Sequence, residues 1–316
     1  MSKDKQRYES WQANLDPDKP LLLAATVVVV RDGDDGLEVL MVLRNRKLKF
    51  GGGSWVFPGG RVDETDYADT AGDAESKDST SDIDATDIEF SQALVSEAQS
   101  TQAQSTQAQS NQAPGGETPP AYSDVIETTN LDVRLAFADV EASPEKFVAA
   151  QRAAVRETIE ETGLVVSADD LVCFSHWIPP PIAPKRFATW FFVVAAPKDQ
   201  EVVVDGGEIT DHAWIKPANK IRMRNVGEED DMLPPTYVTL VELATKETVA
   251  ELLEFAKARK PPLYATKIAS SGEDAVSLWA GDAGYETANA DLPGPRHRLV
   301  MSDKSWEYQR PEVREI

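Results

Sequence analysis

The sequence of 316 residues is poor in cysteine and in long apolar runs. Cys173 is its only cysteine, so the chain forms neither an intrachain disulfide nor a cysteine-rich zinc site. The longest apolar run, 21–30, has ten residues, whereas a membrane-spanning helix needs about 20. The first residues, MSKDKQRYES, lack the apolar core of a signal peptide. We therefore expect a cytoplasmic protein that does not enter a membrane.

Positive charge is also scarce. The sequence has 32 Lys and Arg residues against 54 Asp and Glu residues, which gives a formal net charge of −22. A surface this acidic repels phosphodiester backbones, and tight nucleic-acid binding needs a basic footprint that releases counterions. We therefore expect no DNA or RNA partner. The sequence does not indicate an oligomeric state.

A low-complexity segment divides the chain. Residues 67–125 consist largely of Asp, Ser, Thr, Gln and Ala, and TQAQS occurs at 101–105 and again at 106–110. Such a segment buries too little apolar area to offset its chain entropy. We predict a disordered acidic surface insertion, with an interaction arm as the alternative. The rest is predicted to form an N-terminal extension, 1–19, and one domain, 20–310.

Outside the insertion, the apolar pattern predicts alternating strands and helices. The helices are predicted at 147–162, where Gly163 follows as a C-terminal cap, and at 236–258. The strands are predicted at 21–30, 37–43, 171–178, 186–196 and 208–215, and short strands are predicted in the tail, 264–306. This order predicts an α/β sandwich with a mixed sheet.

Three carboxylates on one predicted helix are the first indication of a functional site. Glu157, Glu160 and Glu161 are spaced i, i+3 and i+4, so on a helix they share one face. Such carboxylates repel one another unless a cation binds them, and their hard oxygen atoms suit Mg²⁺ or Mn²⁺. The alternative is an ordinary solvated acidic helix. Upstream, Gly59 and Gly60 in WVFPGGRVD allow a metal or phosphate to approach the main chain closely.

The glycine turn and the acidic helix together resemble the signature of the Nudix hydrolase superfamily, G-x5-E-x7-R-E-U-x-E-E-x-G-U, in which U is aliphatic. The matching residues are Gly60, Arg156, Glu157, Glu160, Glu161, Gly163 and Leu164. Three features depart from the signature: about 80 residues split it, Asp66 stands in place of the first Glu, and Thr158 replaces an aliphatic residue. Loop-closure entropy grows only logarithmically with length, so an insertion before the helix is tolerated.

The resemblance implies a Nudix-type α/β/α sandwich and metal-dependent diphosphate hydrolysis. Glu157, Glu160, Glu161 and the backbone carbonyl of Gly59 would hold Mg²⁺ or Mn²⁺. Glu157 would be general base or ligand, and Arg156 would orient it. Which Glu acts as the base stays open, as does the number of metal ions.

A second resemblance narrows the substrate. Residues 40–60, LMVLRNRKLKFGGGSWVFPGG, are similar to the additional signature of coenzyme A diphosphatases within that superfamily, L-L-T-x-R-(S/A)-x3-R-x3-G-x3-F-P-G-G. The segments PIAPKRFATWFF, 181–192, and LPPTYVTL, 233–240, resemble the same branch. The predicted substrate-binding residues are Arg44, Lys49, Gly53, Gly60 and Arg186. The alternative for the basic run of 44–49 is an ordinary charged hairpin loop.

The predicted reaction is hydrolysis of coenzyme A or acyl-coenzyme A to (acyl-)4′-phosphopantetheine and adenosine 3′,5′-bisphosphate. A second hypothesis keeps the chemistry but changes the substrate to a nucleoside diphosphate sugar, ADP-ribose or FAD, because Met41, Val42 and Asn45 depart from the coenzyme A signature. A third hypothesis is a non-catalytic module that senses a nucleotide.

Overall fold

The structure, a computed structural model, describes residues 1–13, 19–48, 52–67, 144–227 and 232–310. Apart from Tyr67, the predicted insertion lies outside the described residues, and so does Lys49. The described chain forms one mixed eight-stranded sheet, one antiparallel four-stranded sheet and five α-helices. The predicted α/β class with a mixed sheet is thereby confirmed.

The central strand of the large sheet is the apolar run near the N-terminus. The strands of this sheet are β1 (Leu21–Gly33), β2 (Gly36–Arg44), β3 (Trp55–Val56), β4 (Gly59–Arg61), β5 (Val172–Ile178), β6 (Arg186–Ala195), β7 (Ile209–Ile215) and β8 (Leu263–Ala265). Strand β1 pairs antiparallel with β2 and β4, and parallel with β6. Strand β5 pairs antiparallel with β6 and parallel with β8. A strand with neighbours on both edges and cover on both faces favours an unbroken apolar run.

Helices cover both faces of this sheet. They are α1 (Lys3–Gln12), α2 (Pro144–Thr162), α3 (Pro217–Asn225), α4 (Pro234–Leu243) and α5 (Val249–Ala258). Val27 and Val29 pack in one apolar cluster with the alanines of α2. Val28 and Val30 pack in the other cluster with α4 and α5. Since side chains alternate along a strand, β1 serves both cores, and the described chain is an α/β/α sandwich.

The smaller sheet completes one of these cores. Its strands are β9 (Lys267–Ser271), β10 (Asp274–Leu278), β11 (Arg298–Met301) and β12 (Trp306–Gln309). Trp279 and Trp306 from this part of the chain pack in the same cluster as α4 and α5. Helix α1, within the predicted N-terminal extension, lies against this sheet, where the Trp306 indole donates to the Asp4 carboxylate at 3.1 Å.

The single helix predicted over 236–258 is wrong, because the chain forms α4 and α5 with a break between them. The Thr248 side chain accepts a hydrogen bond from the Glu251 backbone N–H at 3.2 Å. Glu251 in turn accepts from the Glu247 N–H at 3.0 Å. These bonds cap the start of a new helix at Val249. The break is not visible in the hydrophobic periodicity, because apolar residues continue on both sides of it. None of the helices described in the structure is long and apolar enough to span a membrane.

Candidate active site

Two segments that are distant in sequence build the candidate site. Strand β4 pairs with β1, with Gly59 opposite Thr26 and Gly60 opposite Ala25. Helix α2 packs over the same part of the sheet and contacts β1, β4 and the 3-10 helix Glu64–Tyr67. The glycine turn and the acidic helix therefore meet, as the split motif predicts.

The glycines permit this meeting because each lies where a side chain has no room. A Cβ on Gly59 would overlap the Ala25 carbonyl oxygen, and its φ of +150° disfavours other residues. A Cβ on Gly60 would overlap the Glu157 carboxylate. The Gly59 N–H donates to Glu161 Oε2 at 2.8 Å. Main chain and carboxylates are thus in direct contact.

Arg156 joins the acidic residues into one network. Its guanidinium donates to both oxygens of Asp66, at 3.2 and 2.9 Å, and to Glu157 Oε1 at 2.8 Å. It also donates to Glu160 Oε2 at 3.2 Å and to the Arg61 carbonyl at 3.0 Å. Asp66, which departs from the Nudix signature, therefore still reaches Arg156. Planar guanidinium groups suit such two-oxygen contacts.

Arg44 lies on the other side of Glu161. Its Nη1 is 3.9 Å from Glu161 Oε1, and its Nη2 donates to Glu208 Oε2 at 3.3 Å. The register that pairs Arg44 with Ile209 brings Glu208 to this position, although its side chain is 62% exposed. Glu208 is a weak candidate on sequence alone, where a solvated edge position is the simpler interpretation. Only the pairing of β2 with β7 places it at the site.

Burial dominates the protonation of the three helix carboxylates. It raises the pKa of Glu161 to about 8, while the Gly59 N–H and Arg44 oppose the rise and Glu157 adds to it. Burial also raises the pKa of Glu157 and of Glu160, against the lowering effect of Arg156. A desolvated carboxylate that lacks a full counter-charge has a raised pKa. The site is therefore short of positive charge.

The donor chemistry fits a divalent cation. Within the described ranges, five carboxylates, Asp66, Glu157, Glu160, Glu161 and Glu208, contact the guanidinium groups of Arg44 and Arg156. Hard oxygen atoms of this kind suit Mg²⁺ or Mn²⁺. In the described ranges, no three His, Cys, Asp or Glu side chains are arranged to hold a metal ion together. The hydrogen bonds from Arg156 and Gly59 occupy these carboxylates, so metal binding requires them to turn.

Two other predicted substrate-binding residues, Gly53 and Arg186, lie at or near strand ends. Gly53 has a φ of +85°, and its N–H donates to the Arg44 carbonyl at 2.9 Å, so it closes the turn after β2. Arg186 begins β6 opposite Leu21. Leu21 is four residues along β1 from the partner of Gly60, which sets the Arg186 backbone about 13 Å along the strand direction from the glycine turn. Both roles stay predictions.

Comparison with known proteins gives structural similarities only. No protein-family model matches the chain, and no curated protein matches it. The chain is similar to a Nudix hydrolase from Alicyclobacillus acidocaldarius, with 19% identity, 77% of this chain and 98% of that chain covered, and a TM-score of 0.47. It is also similar to the Nudix domain of Shewanella oneidensis NrtR complexed with ADP ribose, with 16% identity, 78% and 97% covered, and a TM-score of 0.35.

A third similar structure is a bifunctional NMN adenylyltransferase/ADP ribose pyrophosphatase from Francisella tularensis, complexed with AMP and a Mn ion. The identity is 16%, 76% of this chain and 45% of that chain are covered, and the TM-score is 0.35. All of these identities lie below 20% and all of these TM-scores lie below 0.5.

Proposed function

We propose that the protein is a Nudix-type hydrolase that cleaves a diphosphate bond with the help of Mg²⁺ or Mn²⁺. One observation carries this proposal. The main chain of Gly59 and Gly60 contacts the carboxylates of Glu161 and Glu157. Arg156 donates hydrogen bonds to Glu157, Glu160 and Asp66. Glu161 is only 5% exposed and lies against the glycine turn. Burying a carboxylate costs free energy, so a helix whose acidic residues are merely solvated would leave it exposed.

The residues of the site divide the work. Glu157, Glu160 and Glu161, with the Gly59 carbonyl, would hold the metal. A bound Mg²⁺ or Mn²⁺ would neutralise the diphosphate and lower the pKa of a bound water. Glu157 would accept the proton of the attacking water. Arg156, which donates to Glu157 at 2.8 Å, keeps that carboxylate oriented.

Coenzyme A or an acyl-coenzyme A is the substrate that we propose. The end of β2 supports this choice, because Arg44 lies 3.9 Å from Glu161 and so belongs to the site. The residues that follow, Arg46 and Lys47, continue the positive charge. A substrate with a 3′-phosphate beside its diphosphate carries more negative charge than ADP-ribose or FAD, and it needs such a counter-charge.

Product analysis tests the proposal. The purified protein is incubated with coenzyme A, acetyl-coenzyme A, ADP-ribose or FAD in Mg²⁺ or Mn²⁺, and products are identified by mass. We expect adenosine 3′,5′-bisphosphate from the coenzyme A compounds. Cleavage of ADP-ribose or FAD instead would keep the diphosphate chemistry and reject the substrate. No metal-dependent turnover of any of the four would reject the proposed function and favour a nucleotide-sensing module.

A substitution at Glu161 tests the site assignment. Glu161→Gln keeps the side-chain volume but removes a ligand charge, so we expect a folded protein whose turnover is lower by about 10²–10⁴-fold. Glu254→Gln, at an exposed position of α5, is the matched control and should turn over like the wild type. Wild-type turnover in Glu161→Gln would remove Glu161 from the site.

A further inference from the structure

A cavity of about 330 Å³ lies beside the candidate active site and has no role in the mechanism above. Its walls come from the start of β1, from β4 and the segment that follows it, from the start of α2, and from β5 and β6. Leu21, Leu23, Ala188 and Trp190 are among its apolar lining residues. Known ligand pockets begin at about 300 Å³, so this cavity is large enough for one part of a ligand.

The cavity shares two residues with the arginine network. Arg61 lines it, and the Arg61 carbonyl accepts a hydrogen bond from Arg156 at 3.0 Å. Asp63 also lines it, with Oδ2 4.0 Å from Arg156 Nη2. A diphosphate bound at the carboxylates would therefore lie near the part of the cavity that Arg61 and Asp63 line. A group attached to that diphosphate would then lie next to the cavity.

The charges at the cavity cancel. Its charged lining residues are two cations, Arg61 and Lys146, and two anions, Asp63 and Glu64. Among these, Arg61 and Asp63 pair with one another at 3.9 Å. A phosphate or carboxylate gains no net electrostatic attraction from such a rim. The cavity is therefore unsuited to a charged ligand.

The stacked pair of aromatic rings at the cavity does not suit a nucleobase. The ring of His176 stacks on Trp190 with centroids 4.0 Å apart and planes 6° apart, so one face of the indole is already covered. Phe147 contacts the same indole edge-on at 5.0 Å. Burial lowers the pKa of His176 to about 3, so this ring is neutral at pH 7. Tyr67 also lines the cavity, and the rest of the uncharged wall is aliphatic, formed by Leu21, Leu22, Leu23, Val62 and the fully buried Ala188.

We propose that this cavity binds an uncharged aliphatic arm that is esterified to the diphosphate of the substrate. This inference rests on the proposed function and deepens it, because it assigns the two halves of the substrate to different places. The substrates that fit have one nucleotide half and one uncharged, largely aliphatic half, as a pantetheine ester with its two amide groups has. Diphosphates with a sugar or a second nucleoside in that position would leave the apolar wall exposed to water.

Filling the cavity tests this inference. Ala188→Leu adds side-chain carbons to the cavity wall, and Ala195→Leu, at the exposed end of the same strand, is the matched control. Leu21→Trp, at the half-buried start of β1, fills the cavity from another side if Ala188→Leu fails to fold. The measured quantity is the ratio of kcat/KM for coenzyme A to kcat/KM for ADP-ribose. Ligand-observed NMR with pantetheine, which has no diphosphate, gives a second readout without turnover.

We expect the ratio to fall by about tenfold in a filled variant, which corresponds to roughly two methylene groups that lose their burial. The control should keep the wild-type ratio. Hydrolysis with an unchanged ratio in both filled variants would overturn the cavity assignment and leave the proposed function intact. No hydrolysis in the wild type, with pantetheine binding that the filled variants lose, would overturn the proposed function and support the cavity. Neither hydrolysis nor pantetheine binding would overturn both.

Discussion

Removing the Arg156 guanidinium should destabilise the fold. Arg156 donates hydrogen bonds to both oxygens of Asp66, which is only 5% exposed. The Asp63 N–H also donates to the Asp66 carboxylate, at 2.8 Å. Breaking a buried ion pair by removing one partner costs about 3–5 kcal/mol. Because the Arg156 side chain is 26% exposed and water can enter, we expect the lower end, about 3 kcal/mol, for Arg156→Ala.

A double-mutant cycle isolates the interaction free energy between Arg156 and Asp66. Urea unfolding at pH 7 with a metal chelator gives the free energy of unfolding for the wild type, Arg156→Ala, Asp66→Asn and the double variant. We expect a coupling energy of about 2 kcal/mol, which is typical of hydrogen bonds between charged groups. The exposed pair Lys216–Asp35, at 3.5 Å with side chains 35% and 83% exposed, is the control and should couple by less than about 0.5 kcal/mol. Equal coupling in the two pairs would refute the reasoning.

Three further predictions concern the fold. Gly59→Ala places a Cβ against the Ala25 carbonyl, so the urea midpoint should fall by the equivalent of about 3 kcal/mol, and an unchanged midpoint would contradict the close approach. Burial raises the pKa of Asp282, but hydrogen bonds, chiefly from Arg298, outweigh burial and hold it below its ordinary value. Its stabilising effect is therefore present above the unfolded pKa and is lost as the pH falls through the folded one, so the stability difference between wild type and Asp282→Asn should shrink below about pH 4. A pH-independent difference would argue against this ion pair. Thr248→Ala removes a helix cap and should cost about 1 kcal/mol in thermal or urea unfolding, whereas no loss would mean that the cap does not stabilise α5.

The elements that the sequence predicts well are those with a strong periodic or terminal signal. The run at 27–30 is apolar at every position, and the strand there is buried on both faces. Helix α2 ends at Thr162, immediately before Gly163, whose φ is +69°. Such signals are local, so they survive without knowledge of tertiary structure. The break before Val249 also had a local signal, Thr248 followed three residues later by Glu251, which the continuous apolar pattern masked.

The contacts that complete the site depend on pairing and packing that no local pattern specifies. Glu208 reaches Arg44 because of the register between β2 and β7. Asp66 reaches Arg156 across 90 positions of sequence. The resemblance to the Nudix signature points to the contact between Asp66 and Arg156 only because Asp66 stands where the signature has its first Glu. Strand register is set by the whole buried face, so one strand read alone cannot determine it.

The hydrogen bond from Gly59 to Glu161 joins residues that are 102 positions apart in the sequence. The length of the chain between them has little effect on the stability of the fold. An eightfold longer loop costs only about 2 kcal/mol more to close, since each doubling adds about 0.6 kcal/mol. Evolution can therefore lengthen or shorten the stretch between Tyr67 and Pro144 with little loss of stability, while the residues that flank it must keep their places. The same tolerance makes this stretch a suitable position for grafting a foreign domain whose ends lie close together, so that ordering or unfolding of the graft would change the proposed activity of the site.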